Sequence, residues 1–382
     1  MNSYDAKMLA RRIITKINSF KPIEKKVIFN SFGGKQYSLD PRAISEKMHE
    51  LYPDYELVWV IWPQYRANTF VPDYVRVIDG RWEFAREIAT AAAYVTTNPL
   101  EKDIIKRKGQ FFVQTWHGDR GFKRCLYEAW GYREGKKVEI FDNKFTDLCV
   151  AASNYGVDVY HKAFKYEGEI LKVGMPRNDK ILNINMDEVE VVKKRIGITA
   201  KTKILTYAPT FSDNNTGIQA AMININETLA YLSGEGEKWI CLVRSHSASK
   251  GIAIKSNENI IDVSDYPDMA DLLMITDMLI TDFSSCAGDF ILRRKPVILA
   301  LFDDYGYRET EKNFRVNVED TGFIIAHNQN ELMDILKNTS SKEYSDNCEK
   351  VLRFYGTIEN GHSAEIICNR INNSFQKMIE RR

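Results

Sequence analysis

The residues able to do chemistry in this 382-residue chain stand in short clusters, each after an apolar run. Gln114-Thr115-Trp116-His117-Gly118 puts an imidazole at the carboxyl end of the strand expected over 110–116. Histidine suits a general base near neutral pH, and Gly118 allows an unusual backbone angle or a close approach. Asp119, Arg120, Lys123 and Arg124 follow, so a basic loop is expected beside the imidazole. Taken alone, His117 is as readily structural as catalytic. The strand-end position and the glycine raise the catalytic reading, because ligands of open α/β sheets bind there. Leu242-Val243-Arg244-Ser245-His246 ends another run. Arg244 and His246 share a face if the strand persists; arginine grips phosphate with a bidentate fork, and histidine adds a donor. A surface arginine beside a loop histidine is the plain alternative. Thr210, in Ala208-Pro209-Thr210-Phe211, offers a hydroxyl at a cleft edge or simply marks where a strand stops.

A fourth cluster is the most informative. Thr281-Asp282-Phe283-Ser284-Ser285 follows Met278-Leu279-Ile280 and leads into Cys286-Ala287-Gly288-Asp289-Phe290, a pattern of strand, tight turn and helix. Free backbone N–H groups and the dipole at a helix start favour an anion. Ala287 and Gly288 stand where a reciprocal capping box needs Glu or Gln. One serine can therefore cap while its neighbour meets an anion. With a diphosphate as the anion, this is the donor site of a nucleotide-dependent transferase. Asp265, Asp268 and Asp271 read first as helix caps and second as partners of ribose or glycerol hydroxyls.

Strands alternating with helices must position these clusters. Strands are expected over 25–30, 55–62, 75–78, 94–97 and 110–116, with helices over 41–51 and 82–93. The alternation restarts at 203–207, 239–243, 260–263, 278–281 and 297–301. Such alternation implies parallel βαβ units, here two doubly wound α/β domains facing a cleft. The turn-rich stretch from Val173 to Asp179 suits a linker. The expected division is 1–22, an amphipathic helix; 23–174, an acceptor-side domain; 175–360, a donor-nucleotide domain; and 361–382, a terminal helix.

Bulk properties narrow the class. With 53 basic and 52 acidic residues the net charge is +1, which gives no global argument for nucleic acid. The six cysteines show no CxxC spacing and read as reduced core thiols. No apolar stretch approaches the roughly 18 residues of a membrane span, and no signal-peptide core is visible. Residues 4–20 form a basic amphipathic pattern, with Met8, Leu9, Ile13, Ile14 and Ile17 against Lys7, Arg11, Arg12 and Lys16. Such a helix either packs on the protein or lies on an anionic membrane.

Five motifs in order resemble the CDP-glycerol glycerophosphotransferases of teichoic-acid synthesis. They are Trp116-His117-Gly118, the run from Gly174 to Asp179, Ala208-Pro209-Thr210-Phe211, Arg244-Ser245-His246 and the run from Thr281 to Ser285. The early run from Ser31 to Ser38 is similar too, so the likeness extends from about residue 25 onward, and the length resembles the short, primase-like members. The resemblance implies a GT-B-like fold, His117 as the base on the acceptor hydroxyl, and Arg244, His246, Thr210, Thr281, Asp282, Ser284 and Ser285 at the donor. Gly118, Arg120 and Lys123 are expected in an acceptor or phosphate loop. It further implies a CDP-alditol donor (CDP-glycerol or CDP-ribitol); no cofactor is expected, and because the sequence has no Asp-rich cluster, weak or no metal dependence is expected too. The implied acceptor is an undecaprenyl-diphosphate-linked glycan, met at the cytoplasmic face of the cell membrane. The chain departs from the family at Ser247, Phe283, the run Lys312-Asn313-Phe314-Arg315 and Asn360-Gly361. Glycerol phosphate, ribitol phosphate or a relative therefore stay open as the transferred group. An NDP-sugar glycosyltransferase and an inactive nucleotide-binding homologue are the rival readings.

Overall fold

The computed structural model describes residues 3–67, 69–101, 104–130, 132–133, 136–137, 142–198, 201–209, 223–245, 257–302 and 314–381. Two parallel sheets organise them. The first contains β1 (Glu24–Asn30), β2 (Glu56–Val60), β3 (Val75–Ile78), β4 (Ala91–Thr96), β5 (Phe111–Gln114), β8 (Leu148–Ala151) and β9 (Glu169–Lys172). A short antiparallel hairpin, β6 (Tyr132–Arg133) with β7 (Lys136–Lys137), interrupts the series. The strand order is β3-β2-β1-β4-β5-β8-β9. The second sheet contains β10 (Lys203–Ala208), β11 (Trp239–Val243), β12 (Ile260–Asp262), β13 (Met278–Thr281), β14 (Val297–Ala300) and β15 (Ile324–Ala326), in the order β12-β11-β10-β13-β14-β15. Both orders run outward from the first strand and then resume on its other side, as in dinucleotide-binding folds. The fold is GT-B-like, with two Rossmann-like units.

The strands are near-continuous apolar runs because helices cover both faces. In the first sheet, Val27, Phe29, Trp59 and Val95 pack with Ile44 and Met48 of the helix Leu39–Leu51 on one side. Ile28, Val58, Tyr94 and Phe112 pack with Ile88 and Leu100 on the other. In the second, Leu205, Val243 and Ile298 pack with Leu229 and Leu332, and Ile204 and Leu242 with Val192 and Leu272.

The chain divides into one unit of Met1–Asp119, Leu126–Asp179 and Ile358–Arg382, and another of Arg120–Cys125 and Lys180–Thr357. This differs from the division expected of the sequence at three places. The terminal helix, Ser363–Glu380, is no separate piece: Ile367, Cys368, Ile371 and Phe375 complete the first core. Each fully buried side chain of that kind contributes about 1.5–3 kcal/mol. The first helix, Ser3–Asn18, joins the same unit, and Thr15 Oγ1 donates to the Ala85 carbonyl at 2.9 Å. Arg120–Cys125 leaves the first unit for the second.

Two local expectations also change. The helix expected over 82–93 ends at Glu87, and Ala91-Ala92-Ala93 opens β4 instead. Those alanines are buried between β1 and β5, where burial overrides helical propensity. The stretch from Val173 to Asp179 is a clamp rather than a linker. Gly174 has φ +104°, and a Cβ there would collide with Glu359 and Ser363. Met175 N and Asn178 Nδ2 donate to the Glu359 carboxylate at 3.1 and 2.8 Å. Asp179 accepts the Ser363 and Ala364 amides at 3.0 and 2.7 Å, capping the last helix from far along the chain. Arg177 forms a buried pair with Asp40, Nη1 to Oδ2 at 2.7 Å.

Candidate active site

In the first unit, residues just past the carboxyl ends of β1, β4 and β5 surround His117. Trp116 adopts φ +55°, a left-handed angle that is costly for a bulky residue. Its amide donates to Gln114 Oε1 at 2.9 Å, and its ring meets Phe164 edge-on at 5.0 Å. This held backbone turns His117 out of the strand direction. His117 Nδ1 lies 3.2 Å from the Thr97 carbonyl, where it donates. That bond fixes the tautomer and leaves the Nε2 lone pair as the acceptor. Trp116 and Phe32 pack against the imidazole with their rings tilted to it, centroids at 3.8 and 5.4 Å. Burial pushes the imidazole pKa down to about 4; the Thr97 bond opposes this, and the charge of Arg177 adds to it. His117 is therefore neutral at physiological pH, with one nitrogen ready to take a proton.

The Thr97 strip is itself fixed. Thr97 Oγ1 donates to Asn98 Oδ1 at 3.0 Å and accepts the Phe32 amide at 2.9 Å. Gln114 Nε2 donates to the Asn98 carbonyl at 2.8 Å and to Asp142 at 2.7 Å. Sequence reasoning missed Phe32 and Thr97 as partners of His117. The turn residues after β1 (Gly33, Gly34) and after β4 (Asn98, Pro99) were the signal for both, since they put those residues at neighbouring strand ends.

In the second unit, the strand order reverses between β10 and β13, and the candidate donor residues gather around those ends. Thr281, the last residue of β13, is buried, and its hydroxyl donates to the Ala208 carbonyl at 2.5 Å. It ties two strand ends together rather than presenting a hydroxyl to a ligand. Ser284 Oγ accepts the Cys286 amide at 3.4 Å, while Ser285 makes no side-chain cap bond. The helix that follows, Cys286–Phe290, is one turn and a half before it tightens to a 3-10 turn at Ile291–Arg293. Its dipole is small, so the turn's attraction for an anion rests on amides and hydroxyls. Asp282 is half-buried.

Arg244 follows β11. Its amide donates to the Tyr207 carbonyl at 2.9 Å, which holds the residue at the strand end. Its Nη1 is closed off from solvent and has no hydrogen-bond partner among the described residues. Burial lowers its pKa, and Asp268, Cys286, Asp271 and Tyr266 offset the loss. Asp268 caps the helix Met269–Ile275 by accepting the Ala270 amide at 2.9 Å, as the capping reading required. His246 and Thr210 lie outside the described residues.

The loop after His117 is corrected most. Arg120 was expected beside the imidazole as a phosphate ligand. Instead its guanidinium is buried in the second unit, Nε donating to the Gly288 carbonyl at 2.6 Å and Nη2 pairing with Asp289 at 3.1 Å. A Cβ on Gly288 would collide with the Arg120 backbone, so only glycine permits this approach. Lys123 sits in a short antiparallel bridge with Phe314, and Gly121 lies beside Ser285. This strip therefore supports the Ser284-Ser285 turn. Gly118 stays half-exposed in the first unit, next to His117. Among the described residues, no three His, Cys, Asp or Glu side chains are grouped to hold a metal ion.

The family described as CDP-glycerol:poly(glycerophosphate) glycerophosphotransferase matches residues 13–373. The teichoic acid glycerol-phosphate transferase of Staphylococcus aureus is 28% identical over 387 residues, covering 96% of this chain and 98% of its own. The teichoic acid poly(glycerol phosphate) polymerase of Bacillus subtilis is 28% identical over 373 residues, covering 92% of this chain. This chain spans about half, 49%, of that polymerase. Among solved structures, the wall teichoic acid polymerase TagF (variant H548A) superposes with a TM-score of 0.82, at 22% identity and full coverage of both chains.

Proposed function

This chain belongs to the CDP-glycerol:poly(glycerophosphate) glycerophosphotransferase family, and on that premise we propose that it transfers an alditol phosphate from a CDP-alditol to a hydroxyl of a lipid-linked glycan. The donor is most simply CDP-glycerol, the acceptor an undecaprenyl-diphosphate-linked glycan, and the product part of teichoic acid. The acceptor oxygen attacks the phosphorus that bears the alditol, and a new P–O bond forms. The bond from that phosphorus to the bridging oxygen breaks, CMP leaves, and the acceptor proton passes to His117 Nε2. Phosphoryl transfer of this kind depends mainly on positioning and on charge stabilisation.

The observation that carries this reading is the Thr97-locked, neutral imidazole of His117 at a strand end. Arg244, with a buried nitrogen unfilled among the described residues, and the Ser285 hydroxyl are the groups to meet the negative charge gathering on CMP. His246, Thr210 and Asp282 are assigned to the same donor, while Ser284 caps the turn beside it. Thr281 holds the strand ends beneath it, and Gly118 leaves room beside the base. The departures at Phe283 and at Phe314-Arg315 lie around the Ser-Ser turn, where Phe283 packs on Phe314 at 4.8 Å.

In this reading the reaction takes place at a membrane surface. No described helix is long and apolar enough to cross a membrane. The first helix, however, faces outward with the wrong residues for a simple packed helix. It buries Arg11 and Thr15, while Leu9, Ile13, Ile17 and the following Phe20 are 49, 51, 62 and 85% exposed. Arg12, Lys16 and Lys21 flank this ridge and are exposed as well. An apolar ridge edged with cations suits anionic lipid headgroups.

The test is CMP release from CDP-glycerol, CDP-ribitol and UDP-sugars with a lipid-linked disaccharide analogue. Release of CMP from a CDP-alditol, dependent on acceptor, is expected. Turnover of a UDP-sugar alone, or donor binding with no CMP released, would remove this reading. Retention on anionic vesicles, lost when Leu9, Ile13, Ile17 and Phe20 become serine, checks the surface.

A further inference from the structure

The first sheet has its own reversal of strand order, between β1 and β4. Ligands of doubly wound sheets bind at that place, outside the carboxyl ends of the strands. A cavity of about 130 Å³ lies there. Asn30, which ends β1, and Thr96, which ends β4, line it, with Phe84, Ile88 and Ile104 as apolar walls and Trp62 beside them.

One residue of this lining keeps a polar atom unfilled among the described residues. Asn30 Nδ2 donates to the Tyr94 hydroxyl at 3.1 Å, but Asn30 Oδ1 is buried with no partner among the described residues. Buried carbonyl oxygens are ordinarily paired, so this one calls for a donor that enters the cavity. The loop after β1 touches both the cavity and the base. Gly33 lines the cavity and accepts from Trp62 Nε1 at 2.5 Å. The neighbouring Phe32 packs on His117 and donates its amide to Thr97 Oγ1.

We propose that this cavity seats an alditol unit of the acceptor, with one hydroxyl donating to Asn30 Oδ1 and its carbons against Phe84, Ile88 and Ile104. The proposal rests on the transferase reading and adds where the acceptor is held. Size supports a three-carbon unit: benzene, with six non-hydrogen atoms, fills a cavity of about 150 Å³, and glycerol has the same number. Arg11, Arg81 and Glu101 also line the cavity, Arg81 pairing with Glu101 at 2.6 Å, so apolar walls alternate with polar groups, as a polyol of carbons and hydroxyls requires.

Steady-state kinetics of the full chain, with a lipid-linked disaccharide that already carries one glycerol phosphate unit as the acceptor, test this. Asn30→Leu removes the acceptor atom, and Ala85→Leu pushes a side chain in from the cavity wall. Each should raise the acceptor KM about tenfold, the scale of one lost hydrogen bond, and leave the KM for CDP-glycerol unchanged. Thermal unfolding of both variants guards against a folding defect, and the Ala85 variant decides if the Asn30 variant is unstable. An acceptor KM unchanged in the folded variants, or a donor KM raised equally, overturns the proposal. Titration of the unsubstituted protein with glycerol stands apart from turnover. A shift of the Asn30 side-chain amide resonance supports the cavity even if no CMP is released, and no shift overturns it. Absence of CMP release from every CDP-alditol defeats the transferase reading alone.

Discussion

At the end of β5 the polar groups are engaged with one another: Gln114 holds Asn98 and Asp142, Thr97 holds Phe32 and Asn98, and His117 Nδ1 holds Thr97. At the ends of β11 and β13 the groups proposed to meet the donor are left open instead. Arg244 Nη1 is buried without a partner among the described residues, and Ser285 makes no cap bond. Two sheets of the same strand order thus prepare different things. The proposed base needs one fixed nitrogen and a defined tautomer, and its surroundings are closed. The proposed anion site needs unspent donors, and its surroundings are held from behind, by Thr281 on Ala208 and by Arg120 on Gly288 and Asp289.

The contrast can be broken most strongly at His117. His117→Ala should lower turnover by about two to four orders of magnitude, the scale of a general base, while CDP-glycerol still binds in a titration. Near-normal turnover would make the closed network merely structural. Arg244→Ala should act on the other side, weakening donor affinity about ten- to a hundredfold, as expected for a lost bond to a charged group. An unchanged donor affinity, measured by calorimetry, would mean that the unfilled nitrogen is not a phosphate ligand.

A smaller effect concerns pH. His117 has a native pKa near 4, below its ordinary 6.5, so the unfolded chain takes up the proton first. Its contribution to stability is whole above about pH 6.5 and falls away as the pH drops toward 4. Thermal unfolding across that window should show a shallower decline in His117→Gln than in the unsubstituted protein; equal slopes would contradict the buried, neutral imidazole. The smallest effect separates the two serines. Ser284→Ala removes a long cap bond and should cost less than about 1 kcal/mol of stability, with Ser285→Ala acting on donor affinity instead. Equal effects of the two on binding would erase the division between them.

Much of this was legible in the chain. Trp239–Val243 and Met278–Thr281 fall where their apolar runs put them, because buried parallel strands read as near-continuous apolar stretches. Leu148–Ala151, Glu169–Lys172 and Ile324–Ala326 were missed: they are short, and two of them carry half-exposed residues that blur the pattern. The positions of His117, Arg244 and the Ser-Ser turn followed from strand ends alone. Their partners did not. Thr97 and Phe32 sit 20 and 85 residues from His117 in sequence, and only strand adjacency brings them to it. Arg120 misled for a related reason: local spacing put it beside the imidazole, whereas a glycine 168 residues later takes up its guanidinium.

The clamp at Gly174–Asp179 has a bearing on how the protein is made. Glu359, Ser363 and Ala364, which satisfy it, and the helix that closes the first core leave the ribosome after every residue of the second unit. The first unit to begin synthesis is therefore the last to be finished. Until then Ile44, Met48 and Val95 lack the apolar cover of Ile367, Ile371 and Phe375, a state that invites chaperone capture and makes late truncations far more damaging than their distance from His117 suggests.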